Sequence, residues 1–229
     1  MFVSINNTIK GENELMDIFE EGNFYHIYNR GANRENIFFE RGDYDVFLEK
    51  YIYYLYPAME TLSWCLMKNH FHALIRIRTE TEQVFLYKKM ADSFKTSRFH
   101  GEISPEIKPY NAPRQLAHFM NSYTRFVNRR LNRKGTLVEG PLKRKNITDE
   151  SYLAHLICYI HRNPIHHGLT ENYSDYTYSS YTDFINGSSS FTAKNKVMDL
   201  FGGIENFVDA HEEFKLKNES KLESNFYLE

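Results

Sequence analysis

The stretch "CLMKNHFHALIRI" (residues 65–77) decides the fold. Two apolar runs, "TLSWCLM" (61–67) and "HFHALIRI" (70–77), are separated only by Lys68 and Asn69. Apolar runs of this length broken by two residues read as a β-hairpin with a tight turn, although lysine is not the favoured first turn residue. Side chains alternate faces along a strand, so His70 and His72 point one way and Phe71 points into the core. Same-face neighbours lie about 7 Å apart, close enough for both rings to turn onto one ion. Neutral imidazole is a common ligand for divalent metals. A hydrogen-bonded or exposed histidine pair on a half-buried strand satisfies the same spacing.

Outward from the hairpin, "FYHIYNRG" (24–31) alternates and ends at Gly31, as a strand does. "DYDVFLEKYIYYLYP" (43–57) places Phe47, Leu48, Tyr51, Ile52 and Leu55 on one helical stripe, with Asp43 as cap and Pro57 as terminator. Residues 80–98 read as a helix, and the proline-rich 100–113 as a loop. Residues 114–131 are amphipathic through Leu116, Phe119, Met120, Tyr123, Phe126 and Val127. Residues 135–147 read as an irregular strand, and Thr148 as the cap of a helix reaching about Arg162. This order predicts an α+β protein: a ferredoxin-like antiparallel sheet with helices on one face, plus a C-terminal helical extension. The expected division is an N-terminal extension (1–22), a main domain (23–185), and a linker with a helical tail (186–229).

Composition bounds the function. The 229 residues, 41% hydrophobic and 25% charged, are ordinary for a globular domain able to bury a core. Cys65 and Cys158 have no metal-ligand spacing and read as buried thiols in a reducing cytoplasm. No stretch approaches the roughly 20 apolar residues of a membrane span. The net charge of −2 argues against a nucleic-acid binder, but the mean conceals a polarity. Residues 125–145, "RFVNRRLNRKGTLVEGPLKRK", hold eight Lys/Arg and one acid, whereas 205–229 hold seven Asp/Glu and three Lys. The basic centre can bind phosphate locally, and a solvated helix face with its loop has the same composition.

In "DESYLAHLICYIHRNPIHHGL" (149–169), Leu153, Leu156, Ile157 and Ile160 form one stripe, and Tyr152, His155, Tyr159 and Asn163 a second. The helix can bury the first and present the second at the sheet edge. Pro164 is expected to stop the helix, leaving the Asn163 amide oxygen free to turn outward. A tyrosine beside a two-histidine metal site suggests nucleophilic attack on a phosphodiester, since a phenol of pKa about 10 needs such activation. Tyr159 is also one of 17 tyrosines, any of which can be structural.

"MKNHFHALI" resembles the His-hydrophobic-His motif of single-tyrosine HUH transposases. "YLAHLICYIHRNPIHHGL" resembles their tyrosine helix in the form found in REP-associated tyrosine transposases (IS200-like). "FYHIYNRGANRENIFF" (24–39), "SYTRFVNRR" (122–130), "GTLVEGPLKRK" (135–145) and "YSDYTYSSY" (173–181) match in order, and "LFGGIENFVDAH" (200–211) is similar to tails in this group. The departures are Lys68, where many relatives have proline, and a less aromatic "LVEGPLKRK" (137–145).

The resemblance implies metal ligation by His70 and His72, with Asn163 completing the site around Mg²⁺ or Mn²⁺. It implies Tyr159 as the nucleophile of single-stranded DNA cleavage and strand transfer through a 5′-phosphotyrosine. The DNA would carry a hairpin or palindrome, held by Arg125, Arg129, Arg130, Arg133, Lys134, Lys143, Arg144 and Lys145. The protein would be a cytoplasmic monomer or homodimer. Two other classes fit the same residues: a domesticated DNA- or RNA-binding protein that no longer cuts, and a metal-dependent hydrolase in which Tyr159 is structural.

Overall fold

In the computed structural model, residues 18–94, 109–187 and 191–219 are described. Four strands, β1 (Phe24–Arg30), β2 (Met59–Met67), β3 (His70–Ile77) and β4 (Lys143–Ile147), form one sheet in the order β2-β3-β1-β4. Every pairing is antiparallel. This is the expected ferredoxin-like α+β arrangement. Helix α1 (Arg41–Leu55) links β1 to β2; α2 (Glu80–Phe94) and α3 (Ala112–Arg130) lie between β3 and β4. Helices α4 (Ser151–His166), α5 (Tyr181–Asn186), α6 (Lys194–Phe201) and α7 (Ile204–Glu219) follow.

Alternation along the strands divides the core in two. Tyr25, Ile27, Trp64, Leu66, Phe71, Ala73 and Ile75 pack against Phe47, Tyr51 and Leu55 of α1 and Leu116, Phe119 and Tyr123 of α3. On the other face Cys65, Met67 and Leu74 meet Leu153, Leu156, Ile157 and Ile160 of α4, with Phe184, Val197 and Phe207 behind them. The ferredoxin-like pair of helices thus keeps to one face, while α4 and the C-terminal helices take the other. Helix α4 packs on β2 and β3, where its apolar stripe covers the second apolar sheet face.

The hairpin turn is Lys68-Asn69, as expected. Neither residue has positive φ, so lysine meets no steric objection there. The turn is pinned from outside: Gly31 N–H donates to Asn69 O (2.7 Å), and Ile37 and Phe38 N–H to Lys68 O. A side chain at Gly31 would place its Cβ 1.8 Å from Glu35 O, so only glycine fits this approach.

Four expected boundaries move. Helix α1 begins at Arg41, and Asp43 stands inside its first turn, where its carboxylate accepts the N–H groups of Phe39 (2.7 Å) and Glu40 (3.1 Å). Of 135–147 only Lys143–Ile147 is a strand; before it, 137–139 is tied to β1 by Ala32 N–H to Leu137 O and Glu139 N–H to Arg30 O. Pro164 does not stop α4, which runs to His166. The proline removes the N–H owed to Ile160 O, and Asn163 Nδ2 supplies donors instead, to Tyr159 O (3.0 Å) and Ile160 O (3.2 Å). Thr148 is not the cap; Asp149 Oδ1 accepts Ser151 N–H at 2.9 Å. The part of the expected 80–98 helix beyond residue 94, and most of the 100–113 loop, lie outside the described residues.

The tail is fastened to the α4 face. Ala193 N–H donates to Thr61 O, and Lys196 pairs with Glu60. Cys65 and Cys158 are free, buried thiols, as expected; burial pushes Cys158 up to about 12. No helix among the described residues is long and apolar enough to cross a membrane.

Arg130 belongs to this framework. Its guanidinium meets the fully buried Asp43 carboxylate at 2.6 Å and Glu40 at 2.9 Å. Removing one partner of such a pair strands a buried charge. Arg130→Ala is therefore expected to lower stability by about 3 kcal/mol. Urea unfolding checks this, and a loss below about 0.5 kcal/mol, the size of a neutral surface change, would contradict it.

Candidate functional site

The β1–β3 register builds the site. Tyr28 stands directly opposite His72, and His26 opposite Leu74. His26, Tyr28, His70 and His72 therefore share the face on which α4 lies. His26 Nε2 and His72 Nδ1 are 3.0 Å apart. Tyr28 stacks on both rings, with centroids 4.9 Å from His26 and 5.7 Å from His72. From above, Tyr159 comes edge-on to His72 (6.0 Å) and His26 (6.2 Å). Two residues 87 apart in sequence, predicted as ligand and nucleophile, thus meet in one chain.

Tyr152, on the same predicted stripe, diverges. Its ring stacks on His155, which packs on Phe214 of α7. Asn163 is buried, and its Nδ2 is committed to the helix carbonyls, so Oδ1 is the atom it can offer to a ligand.

The metal expectation can be judged from the imidazoles. His70 Nδ1 lies 2.7 Å from Asn69 Oδ1, an acceptor, so Nδ1 carries the proton. Asn69 is oriented by its Nδ2, which makes a long 3.5 Å contact to Arg34 O. Asn33 and Arg34 adopt left-handed φ of 56° and 61° at that corner, a conformation costly for non-glycine residues and common around functional sites. His70 Nε2 is then an unprotonated nitrogen, buried and without a hydrogen-bond partner. A ligating histidine held through its other nitrogen by a carbonyl has this disposition. For His72 Nε2 to present a lone pair, Nδ1 must carry the proton and donate to His26. The donor set therefore fits a divalent cation at His70 and His72. Among the described residues no group of three or more His, Cys, Asp or Glu side chains could hold a metal; the two imidazoles are the nitrogen donors the face offers.

Sequence reasoning missed three side chains. His26 and Tyr28 carried a signal, an alternating H-x-Y on the strand expected to pair with the hairpin. His167, whose ring lies 4.9 Å from His70, carried none, because it follows the proline expected to end the helix.

The expected basic surface is divided by the sheet. Lys143 and Lys145 pair opposite Tyr28 and His26 on the site face, and Lys143 Nζ lies 5.7 Å over the Tyr28 ring. Arg144 faces the other side, over Phe19 at 4.6 Å. Arg125 and Arg129 line an open depression on α3 with Lys50 and Phe126. Arg133 approaches Glu35 (3.5 Å), Lys134 is exposed, and Arg130 is the framework residue described above.

No protein-family model matches the chain, and no curated protein matches it. Among solved structures, one described as a REP-associated tyrosine transposase bound to a REP hairpin is similar at a TM-score of 0.54 and 13% identity. The match covers 78% of this chain and 88% of that one. The likeness is one of fold.

Burial holds the site histidines neutral. It lowers His26 from its ordinary 6.5 to about 3, helped by Lys145, and His70 to about 4, helped by His167 and Arg30; His72 falls well below its usual range. A buried pair elsewhere, His161 and His211, is depressed by burial too. Protonation therefore favours the unfolded chain. The stability these groups confer is complete above pH 6.5 and lost as the pH falls toward 4, at about 1.4 kcal/mol per pH unit per histidine. The melting temperature is expected to drop steeply between pH 6.5 and 4.5. A flat profile over that window would show that the histidines titrate normally.

Proposed function

We propose that the chain cuts and rejoins single-stranded DNA at a hairpin or palindrome, with Tyr159 as nucleophile. The observation that carries this reading is the edge-on approach of Tyr159 to His72 and His26 across the sheet. The fold likeness to a hairpin-bound transposase supports it, and so do the ordered sequence motifs. Tyr159 is half-buried, so its ring is held by packing while its hydroxyl can meet a phosphodiester. Attack forms a Tyr159 O–P bond as the P–O3′ bond breaks. The phenol proton leaves to water, and the 3′ oxygen takes one up. A 5′-phosphotyrosine and a free 3′-OH result. One phosphodiester has replaced another, so the reverse attack by a 3′-OH can rejoin a strand.

His70 and His72, with Asn163, are the residues that would hold Mg²⁺ or Mn²⁺. Such an ion supplies Lewis-acid neutralisation of the phosphate. Asn69 fixes the His70 ring, and His26 fixes that of His72. Lys143 and Lys145 stand beside the site and hold the DNA backbone there, with Arg125, Arg129, Arg133, Lys134 and Arg144 on the other side. Phosphate contacts of this kind position the strand without reading its sequence. Tyrosine and histidines come from one chain, so a monomer suffices for the chemistry.

The test uses a single-stranded oligonucleotide carrying a hairpin from the flank of the protein's own gene, with Mn²⁺ or Mg²⁺. A denaturant-resistant adduct is expected on the strand 3′ to the cut. Tyr159→Phe removes one hydroxyl, so binding should stay near wild type while adduct and cleavage vanish together. Cleavage by both proteins without an adduct identifies a hydrolase; binding without cleavage by either identifies a non-cutting binder.

A further inference from the structure

On the face of the sheet away from Tyr159, a groove of about 420 Å³ runs between α3 and the 136–142 segment. Its walls are apolar, chiefly Leu116, Met120, Pro141 and Leu142, and Arg144 stands on its lining. At its floor is Asn29, 2% exposed. The Asn29 Oδ1 accepts Arg30 N–H at 2.8 Å, but its Nδ2 has no partner. A buried amide donor left unpaired costs about as much as a lost hydrogen bond, and calls for a ligand or a water. The groove is preformed, because the backbone bonds from Ala32 to Leu137 and from Glu139 to Arg30 fix its outer wall on β1.

We propose that this groove takes one unpaired nucleobase of the bound strand, stacked between the apolar walls, with Asn29 Nδ2 donating to an acceptor on the base edge. The inference rests on the DNA reading above. Charge along β4 supplies the path. Lys143 and Lys145 face the Tyr159 side and Arg144 the groove side, so a phosphate chain can round this sheet edge with cations on both faces. Among the described residues, strand β4 pairs only with β1 in the sheet. The base held here is therefore not the one at the cut but an unpaired neighbour reached around β4. Apolar walls with hydrogen bonds to the base edge are one way in which proteins receive an unstacked base. The groove would thus add sequence preference that lysine–phosphate contacts cannot give.

The test couples protein and DNA changes. The same hairpin oligonucleotide is made in a series, each unpaired nucleotide in turn replaced by an abasic residue, and binding is followed by fluorescence anisotropy. In the wild type, one position should stand out with affinity weakened about tenfold, the weight of one hydrogen bond to the base edge. In Asn29→Ala, and independently in Met120→Ala, that penalty should shrink to within about threefold while the other positions keep theirs. Thermal melting confirms that each variant is folded, and Leu142→Ala replaces either one that is not. An abasic profile identical in the wild type and all folded variants overturns the base site, even if Tyr159 adducts form. Coupling at one position without any adduct would keep the base site and sink the cleavage reading. Absence of binding to every oligonucleotide would overturn both.

Discussion

The antiparallel register of β1 against β3 is the constraint on which the site depends. It sets Tyr28 opposite His72 and brings His26 within 3.0 Å of it. Slipping one strand by a residue would exchange its faces, sending the imidazoles into the α1–α3 core and Phe71 to Tyr159. The register is held at its open end by the hairpin turn. Gly31, Ile37 and Phe38 all donate to that turn, and the same corner delivers Asn69 to His70. Backbone that shapes the fold and backbone that orients the first histidine are thus the same few residues.

The second requirement is that α4 stay in place over this face. Its apolar stripe accounts for much of that, and a buried chain of hydrogen bonds adds direction. His211 donates from Nδ1 to Phe207 O (2.6 Å), which leaves its Nε2 to accept from His161 Nδ1 at 2.8 Å. His161 Nε2 then accepts from Ser180 Oγ at 2.8 Å, and Ser180 Oγ accepts Trp64 N–H at 2.9 Å. Each neutral ring has one donor and one acceptor nitrogen, so the backbone carbonyl at one end fixes both tautomers. The chain ties α7 to α4 and α4 to the edge strand β2. The C-terminal helices are in this way part of what holds Tyr159 over the histidines.

Much of this was legible in the sequence. The hairpin, the strand of 24–30 and the helices follow from apolar periodicity, and the opposite facing of Phe71 and the two histidines follows from alternation. At two places where the sequence misled, a side chain took over a backbone role. Pro164 reads as a stop, but Asn163 satisfies the Ile160 carbonyl it orphans. Asp43 reads as a cap, yet works inside the first turn and anchors Arg130. The basic run reads as a single surface because charge counts carry no facing. Strand alternation splits Lys143 and Lys145 from Arg144, and the sheet separates both lysines from α3. The Asn29 groove was not legible at all, since it needs α3, β1 and the 136–142 segment brought together in space.

The most direct measurement is the location of the covalent link. The adduct formed on the hairpin oligonucleotide is digested with nuclease and trypsin, and the nucleotide-bearing peptide is fragmented in a mass spectrometer. Cleavage after Lys145 and Arg162 yields a peptide that contains both Tyr152 and Tyr159. The account predicts the residual phosphonucleotide on Tyr159, whose ring faces His72 and His26. Its appearance on Tyr152, which packs toward His155 and α7, would contradict the account.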